Sequence, residues 1–158
     1  MAGSFHRINL HIVFSTKNRY PFLQDKEIRI KLFSYIYGLS KSQGLIPIRV
    51  GGWLDHVHIL IRLNKKDLPE AVKYIKRESS RWLHKTSLFL SKFKWQKGYA
   101  VFSVSESMIP VVCDYIEKQE EHHRKMSFRD EYLLFLKKNN IEYDQKYVFD
   151  GEDCNLDD

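Results

Sequence analysis

GGWLDHVHILIRL, residues 51–63, decides how the chain folds. In HVHILIRL at 56–63, Val57, Ile59 and Ile61 alternate with His56, His58 and Leu60. A period of two is that of a strand, so one face is apolar and the other carries two imidazoles side by side. The preceding IPIRVGGW at 46–53 reads as a second strand. Only Leu54 and Asp55 separate the two, a turn that predicts a hairpin.

Upstream, FHRINLHIVFS at 5–15 alternates in the same way, with Ile8, Leu10, Ile12 and Phe14 on one face and Asn9, His11 and Val13 on the other. Tyr20-Pro21 breaks the pattern. Ile28, Leu32, Tyr35, Ile36 and Leu39 then recur at helical spacing, predicting a helix over 25–42 that stops before Gly44. Downstream, Asp67-Leu68-Pro69-Glu70 is a helix start with an Asp cap. That helix runs to about Lys85 and buries Ala71 or Val72, Ile75, Ser79 and Trp82. A lysine-rich connection over 86–97 leads to a strand at Tyr99–Val104, then to helices over 108–124 and 127–139. The order β-α-β-β-α-β with two additional C-terminal helices predicts an α+β fold: a ferredoxin-like, RNA-recognition-motif-like antiparallel sheet with two helices on one face. Residues 1–141 form the expected domain, and 142–158 an acidic, partly flexible tail.

Composition narrows the classes. With 43% hydrophobic and 29% charged residues the chain can bury a core, which excludes wholesale disorder. No apolar run is long enough for a membrane helix or a leader peptide, so a cytoplasmic protein without a membrane partner is expected. Cys113 and Cys154 offer neither a zinc signature nor a disulfide framework. The net charge of +6 is uneven. Residues 142–158 hold seven acids against one base, Lys146, a charge of −6 that leaves +12 on the rest. A basic body fits a polyanion, nucleic acid being the usual one.

The chemistry starts from His56 and His58. Two imidazoles on one face of a rigid strand can share a divalent cation, although an isolated pair of this kind is more often two half-exposed histidines without a ligand. A cation also needs a further protein ligand. Tyr115 and Gln119, four apart in VVCDYIEKQEEHH, share a helix face. The Gln119 side-chain oxygen supplies a candidate third ligand, and Tyr115, one turn away, a nucleophile for a bound phosphate. A free phenol, with a pKa of about 10, needs a cation to activate that phosphate at neutral pH. His11, on the same face of the neighbouring strand, is a candidate support behind the ligands or a phosphate contact. His122 and His123 read as helix-end histidines, favoured near the negative end of the helix dipole.

HVH with Tyr115 and Gln119 following resembles the single-tyrosine HUH transposases of bacterial insertion sequences, including the group associated with repetitive extragenic palindromes. HIVFSTKNRYPFL at 11–23, GGWLDHVHILIRL at 51–63, FKWQKGYAVFSVS at 93–105 and YIEKQEEHHRKMSFRDEYLLFLKKNNIEYD at 115–144 carry the likeness over nearly the whole chain. The resemblance implies Mg²⁺ or Mn²⁺ on His56, His58 and Gln119, with Tyr115 forming a 5′-phosphotyrosine link to DNA and releasing a 3′-hydroxyl. It also implies recognition of hairpins in single-stranded DNA, and a homodimer in which the tyrosine helix of one subunit can complete the site of the other. Ligand chemistry alone favours Mn²⁺ over Mg²⁺ for imidazole nitrogens.

For the DNA surface, Arg77 and Arg81 on the second helix and Lys92, Lys94, Trp95, Gln96 and Lys97 on the connection are candidates, cations for phosphates and aromatics for unpaired bases. A non-catalytic nucleic-acid-binding module would share the fold and charge but leaves His56, His58, Tyr115 and Gln119 without a reason to occur together. A histidine-triad phosphohydrolase would need a third alternating histidine where Leu60 stands. A domesticated transposase acting on host repeat palindromes would carry the same residues.

Overall fold

The hairpin of β2 (Ile46–Gly52) and β3 (His56–Arg62) is extended by β1 (Asn9–Ser15) and β4 (Ala100–Val104) into one antiparallel sheet ordered β2-β3-β1-β4. The computed structural model describes residues 3–64, 67–144 and 148–149. Its helices are α1 (Lys26–Ser42), α2 (Leu68–His84), α3 (Ile109–Glu117), α4 (Gln119–His122) and α5 (Phe128–Lys138). This is the expected ferredoxin-like α+β arrangement, with β1 and β3 in the centre of the sheet.

The period of two divides the residues between two cores. Ile12, Phe14, Val57, Ile59 and Ile61 face α1 and α2, meeting Leu32, Ile36 and Leu39 of α1 and Val72, Ile75 and Leu83 of α2. Each fully buried aliphatic side chain contributes about 1.5–3 kcal/mol relative to exposure. The opposite face carries a smaller cluster in which Val13, Ala100 and Phe102 pack on Phe128, Tyr132 and Leu136 of α5. Val148 and Phe149, just beyond the predicted domain end, pack on this cluster too.

Local signals hold with four differences. The Asp25 carboxylate caps α1 by accepting from Glu27 N and Ile28 N, and Gly44 takes the left-handed φ of 78° that ends the helix. Asp67 stands at the cap position of α2, but its side chain makes no capping bond. The first strand begins only at Asn9, leaving Phe5 97% and Ile8 43% exposed. Trp82 is only partly buried and stacks on Tyr35 at 5.5 Å. The helix expected over 108–124 breaks at Lys118 (φ −96°, ψ 24°), where the Tyr115 carbonyl accepts the Gln119 side-chain amide at 3.2 Å. Lys65, Lys66 and the acidic segment 150–158 lie outside the described residues. No helix among the described residues is long and apolar enough to cross a membrane.

Candidate metal and tyrosine site

Alternation along β3 turns His56 and His58 onto the face away from α1 and α2, as the sequence implies. That face is not open, however, because α3, α4 and α5 cover it and both imidazoles are fully buried. In β1, Val13 is the register partner of His58 and His11 that of Leu60. His11 Nε2 lies 2.7 Å from His58 Nδ1, so His11 stands behind the pair and supports it.

Two features of β2 set how closely α3 approaches. Gly51, across from His58, meets Ile116 without a side chain of its own. A Cβ there would stand 2.7 Å from Ile116 Cγ2 and 2.8 Å from the Ile116 carbonyl oxygen. Arg49 pairs with Glu117 one residue further on. Held this way, Tyr115 presents its ring edge-on to His58, centroids 5.7 Å apart. Its hydroxyl donates to Glu131 Oε2 and lies 3.1 Å from His122 Nε2.

Beside the phenol, donors converge. His56 Nδ1 is 2.8 Å from the Asp55 carboxylate, and His123 Nδ1 is 2.7 Å from the Met126 carbonyl. Both partners only accept, so each Nδ1 carries a proton and each Nε2 is left to face the interior, where it can meet a cation once unprotonated. Gln119 is oriented by its amide N–H bond to the Tyr115 carbonyl, which leaves Oε1 pointing inward. That oxygen lies 2.8 Å from His56 Nε2 and 2.9 Å from His123 Nε2. The Glu131 carboxylate sits 3.0 Å from His58 Nε2 and 3.2 Å from His123 Nε2. Acceptor atoms this close need a proton or a cation between them. Suitable ligand atoms of His56, His58, His123 and Glu131 all fall within 4.8 Å of one another. Three imidazoles, a carboxylate and an amide oxygen form a donor set that fits a divalent transition ion.

The electrostatics agree. Burial, reinforced by His58, lowers His11 to about 3, and burial also lowers His58 and His122, so these rings stay neutral. Burial raises the Glu131 carboxyl, but His58, His123 and His56 outweigh it and hold the group well below the usual carboxylate range. Burial lowers His123, and its bond to Glu131 more than restores it. Tyr115 is pushed up by burial and by the neighbouring Glu131 charge. The phenol therefore stays protonated in this arrangement.

The structure thus brings Tyr115, His56, His58, Gln119 and His11 together. Sequence reasoning missed Asp55, His123 and Glu131. His123 had a signal, lying four residues after Gln119 and eight after Tyr115. Glu131 had a fainter one, an acid within the buried stripe Phe128, Tyr132 and Leu136. The nucleic-acid candidates divide. Lys92, Lys94 and Lys97 are exposed on the connection. Trp95 and Gln96 are not offered to a ligand: Trp95 packs in the main core and donates its indole N–H to Ser79 Oγ, while Gln96 Oε1 accepts from Ser15 N. Residues 94–96 dock on the end of β1, through a Thr16–Trp95 bridge, and that docking draws both side chains inward. Arg77 and Arg81 lie on α2, across the sheet from the donors, and share Glu78.

Comparison with known proteins agrees with this geometry. Residues 4–119 match the family model described as "Transposase IS200 like". The ISDra2 transposase TnpA of Deinococcus radiodurans is 25% identical over 126 residues, covering 75% of this chain and 89% of that protein. A solved structure from Deinococcus radiodurans, assigned as a transposase, superposes with a TM-score of 0.57 at 26% identity, over 75% of this chain and 95% of that one. A REP-associated tyrosine transposase bound to a REP hairpin shares the fold, with a TM-score of 0.56 at 14% identity over 78% of this chain and 74% of that one. A family match over most of the chain, on a fold shared with solved transposases, makes this protein a member of the IS200-like transposase family.

Proposed function

We propose that this transposase cuts and rejoins single-stranded DNA with Tyr115 as nucleophile, beside a divalent cation held by His56, His58 and Gln119. The observation that carries the reading is the meeting of the Tyr115 hydroxyl with the donor cluster inside one chain. When bound, Mg²⁺ or Mn²⁺ would draw charge from the scissile phosphate. Tyr115 forms an oxygen–phosphorus bond as the bond to the 3′ oxygen breaks, giving a 5′-phosphotyrosine and a free 3′-hydroxyl. The phenol gives up one proton and the departing oxygen gains one. One phosphodiester replaces another, so attack by a second 3′-hydroxyl rejoins strands without ATP.

The protein positions these groups. Asp55 and His11 hold the outer nitrogens of His56 and His58, which fixes the rings. Gly51 and the Arg49–Glu117 pair seat the tyrosine helix. Lys92, Lys94 and Lys97 are the proposed contacts to DNA phosphates. A folded hairpin is the proposed substrate, by analogy with the REP-associated relative, which was solved bound to one. The family resemblance supports a homodimer. In the conformation described Tyr115 meets the histidines of its own chain.

The test incubates protein with single-stranded hairpin DNA and Mn²⁺ or Mg²⁺ and looks for a covalent adduct on a denaturing gel. The adduct should form with wild type and vanish with Tyr115→Phe and His58→Ala, while Tyr115→Phe still binds hairpin. An adduct that survives Tyr115→Phe overturns the assignment.

A further inference from the structure

We infer that Glu131 of α5 is itself a ligand of the cation, so that one carboxylate spans the ion and the tyrosine: Oε1 on the ion, Oε2 on the Tyr115 hydroxyl. The inference rests on the metal reading above and assigns it a ligand from outside the histidine pair and the tyrosine helix.

Spacing is the first argument. Bonds of roughly 2.1 Å place neighbouring ligands about 3 Å apart around an octahedral ion and about 3.4 Å around a tetrahedral one. Glu131 Oε1 stands 3.0 Å from His58 Nε2 and 3.6 Å from His56 Nε2. Gln119 Oε1 stands 2.8 Å from His56 Nε2. These separations match those of ligands around one centre.

Burial is the second. Glu131 is 2% exposed, and its neighbours are the rings of His56, His58, His122 and His123 and the Tyr115 hydroxyl. Neither lysine nor arginine pairs with it among the described contacts. A buried carboxylate needs compensating charge. The Nδ1 atoms of His56 and His123 are already committed to Asp55 and Met126, so each of those rings has only its Nε2 to offer the site. A cation among the three imidazoles meets that need, and His123 Nε2 lies within reach as a further ligand.

The third is placement. Phe128, Tyr132 and Leu136 anchor α5 on Val13 and Phe102, on the same sheet face as the histidines. A ligand on α5 ties the seating of that helix to the ion.

The experiment titrates metal-stripped protein with MnCl₂ and reads free Mn²⁺ by electron paramagnetic resonance, without DNA. Glu131→Gln, which keeps the side-chain shape, should weaken Mn²⁺ binding at least on the order of 10–100-fold, the range known for even indirect partners of a metal. Glu121→Gln, on the exposed side of α4, should leave it unchanged. Wild-type affinity in Glu131→Gln together with loss in His58→Ala overturns this inference and leaves the metal centre standing. Wild-type affinity in His58→Ala overturns both. A measurement on the unsubstituted chain guards against misfolding: hydrogen exchange across residues 128–138 should slow when Mn²⁺ is added, and unchanged exchange counts against the assignment.

Discussion

Gly51→Ala tests the seating of the tyrosine helix more sharply than any substitution in the site. Gly51 lies in β2 with an ordinary strand backbone, so alanine meets no torsional penalty, and by itself the lost freedom of the unfolded chain would stabilise by about 0.4–1 kcal/mol. Packing opposes this. The new Cβ would sit 2.7 Å from Ile116 Cγ2 and 2.8 Å from the Ile116 carbonyl oxygen, where ordinary contacts begin at 3.4 Å. A side chain could swing away, but a helix carbonyl cannot, so α3 must lift by about 0.6 Å. Overpacking of this kind costs typically 1–3 kcal/mol, which outweighs the entropic gain. The melting temperature should fall by about 2–4 °C per kcal/mol of net loss. Tyr115 precedes Ile116 and rises with it. A misplacement near 1 Å costs a reacting group about 100-fold in rate, so a shift of this size should slow adduct formation by roughly 10-fold or more. Thermal unfolding and single-turnover adduct formation on hairpin DNA measure the two effects. A variant as stable as wild type and equally fast would refute the argument that α3 is set by contact with β2.

Asp55→Ala removes the acceptor that fixes the His56 tautomer and should weaken Mn²⁺ binding about 10–100-fold with the fold retained, checked by titration and circular dichroism. Trp95→Ala should cost about 3–5 kcal/mol in urea unfolding, because Trp95 packs edge-on between Phe14 and Phe93; a variant that only lost DNA binding would contradict this placement. Lys94→Ala combined with Lys97→Ala should lower the salt slope of hairpin binding by about 0.7 per lost phosphate contact, and an unaltered slope would argue against contact there. Ile36→Ala, in the core on the far side of the sheet, should cost about 2–5 kcal/mol while Mn²⁺ affinity in the folded protein stays unchanged.

The elements that were legible in sequence are those whose side chains obey a local period. HVHILIRL announces its two faces because a strand alternates whatever it packs against, and Asp25 and Gly44 mark the ends of α1 by backbone needs that are local too. Trp95 and Gln96 show the limit of such reading. A lysine-rich connector suggests an exposed ligand surface, yet residues 94–96 pair with the end of β1 and carry both side chains inward. Nothing within the connector encodes that pairing. Lys118 shows it again, since the helix break there follows from a side-chain amide taking a carbonyl, which no periodicity reports.

For the site itself, sequence alone determined the strand that carries His56 and His58, the relation of Tyr115 to Gln119 and the family to which the chain belongs. The first two depend on spacings of two or four residues that backbone geometry converts directly into direction, and the third on motif likeness over most of the chain. Only the tertiary structure decided that α5 folds over the histidines and that Glu131, more than seventy residues from His58, faces them. It alone decided how near α3 may come to Gly51. The physical reason is that charge compensation and close packing act through distances in space, between residues whose separation along the chain carries no trace of the contact.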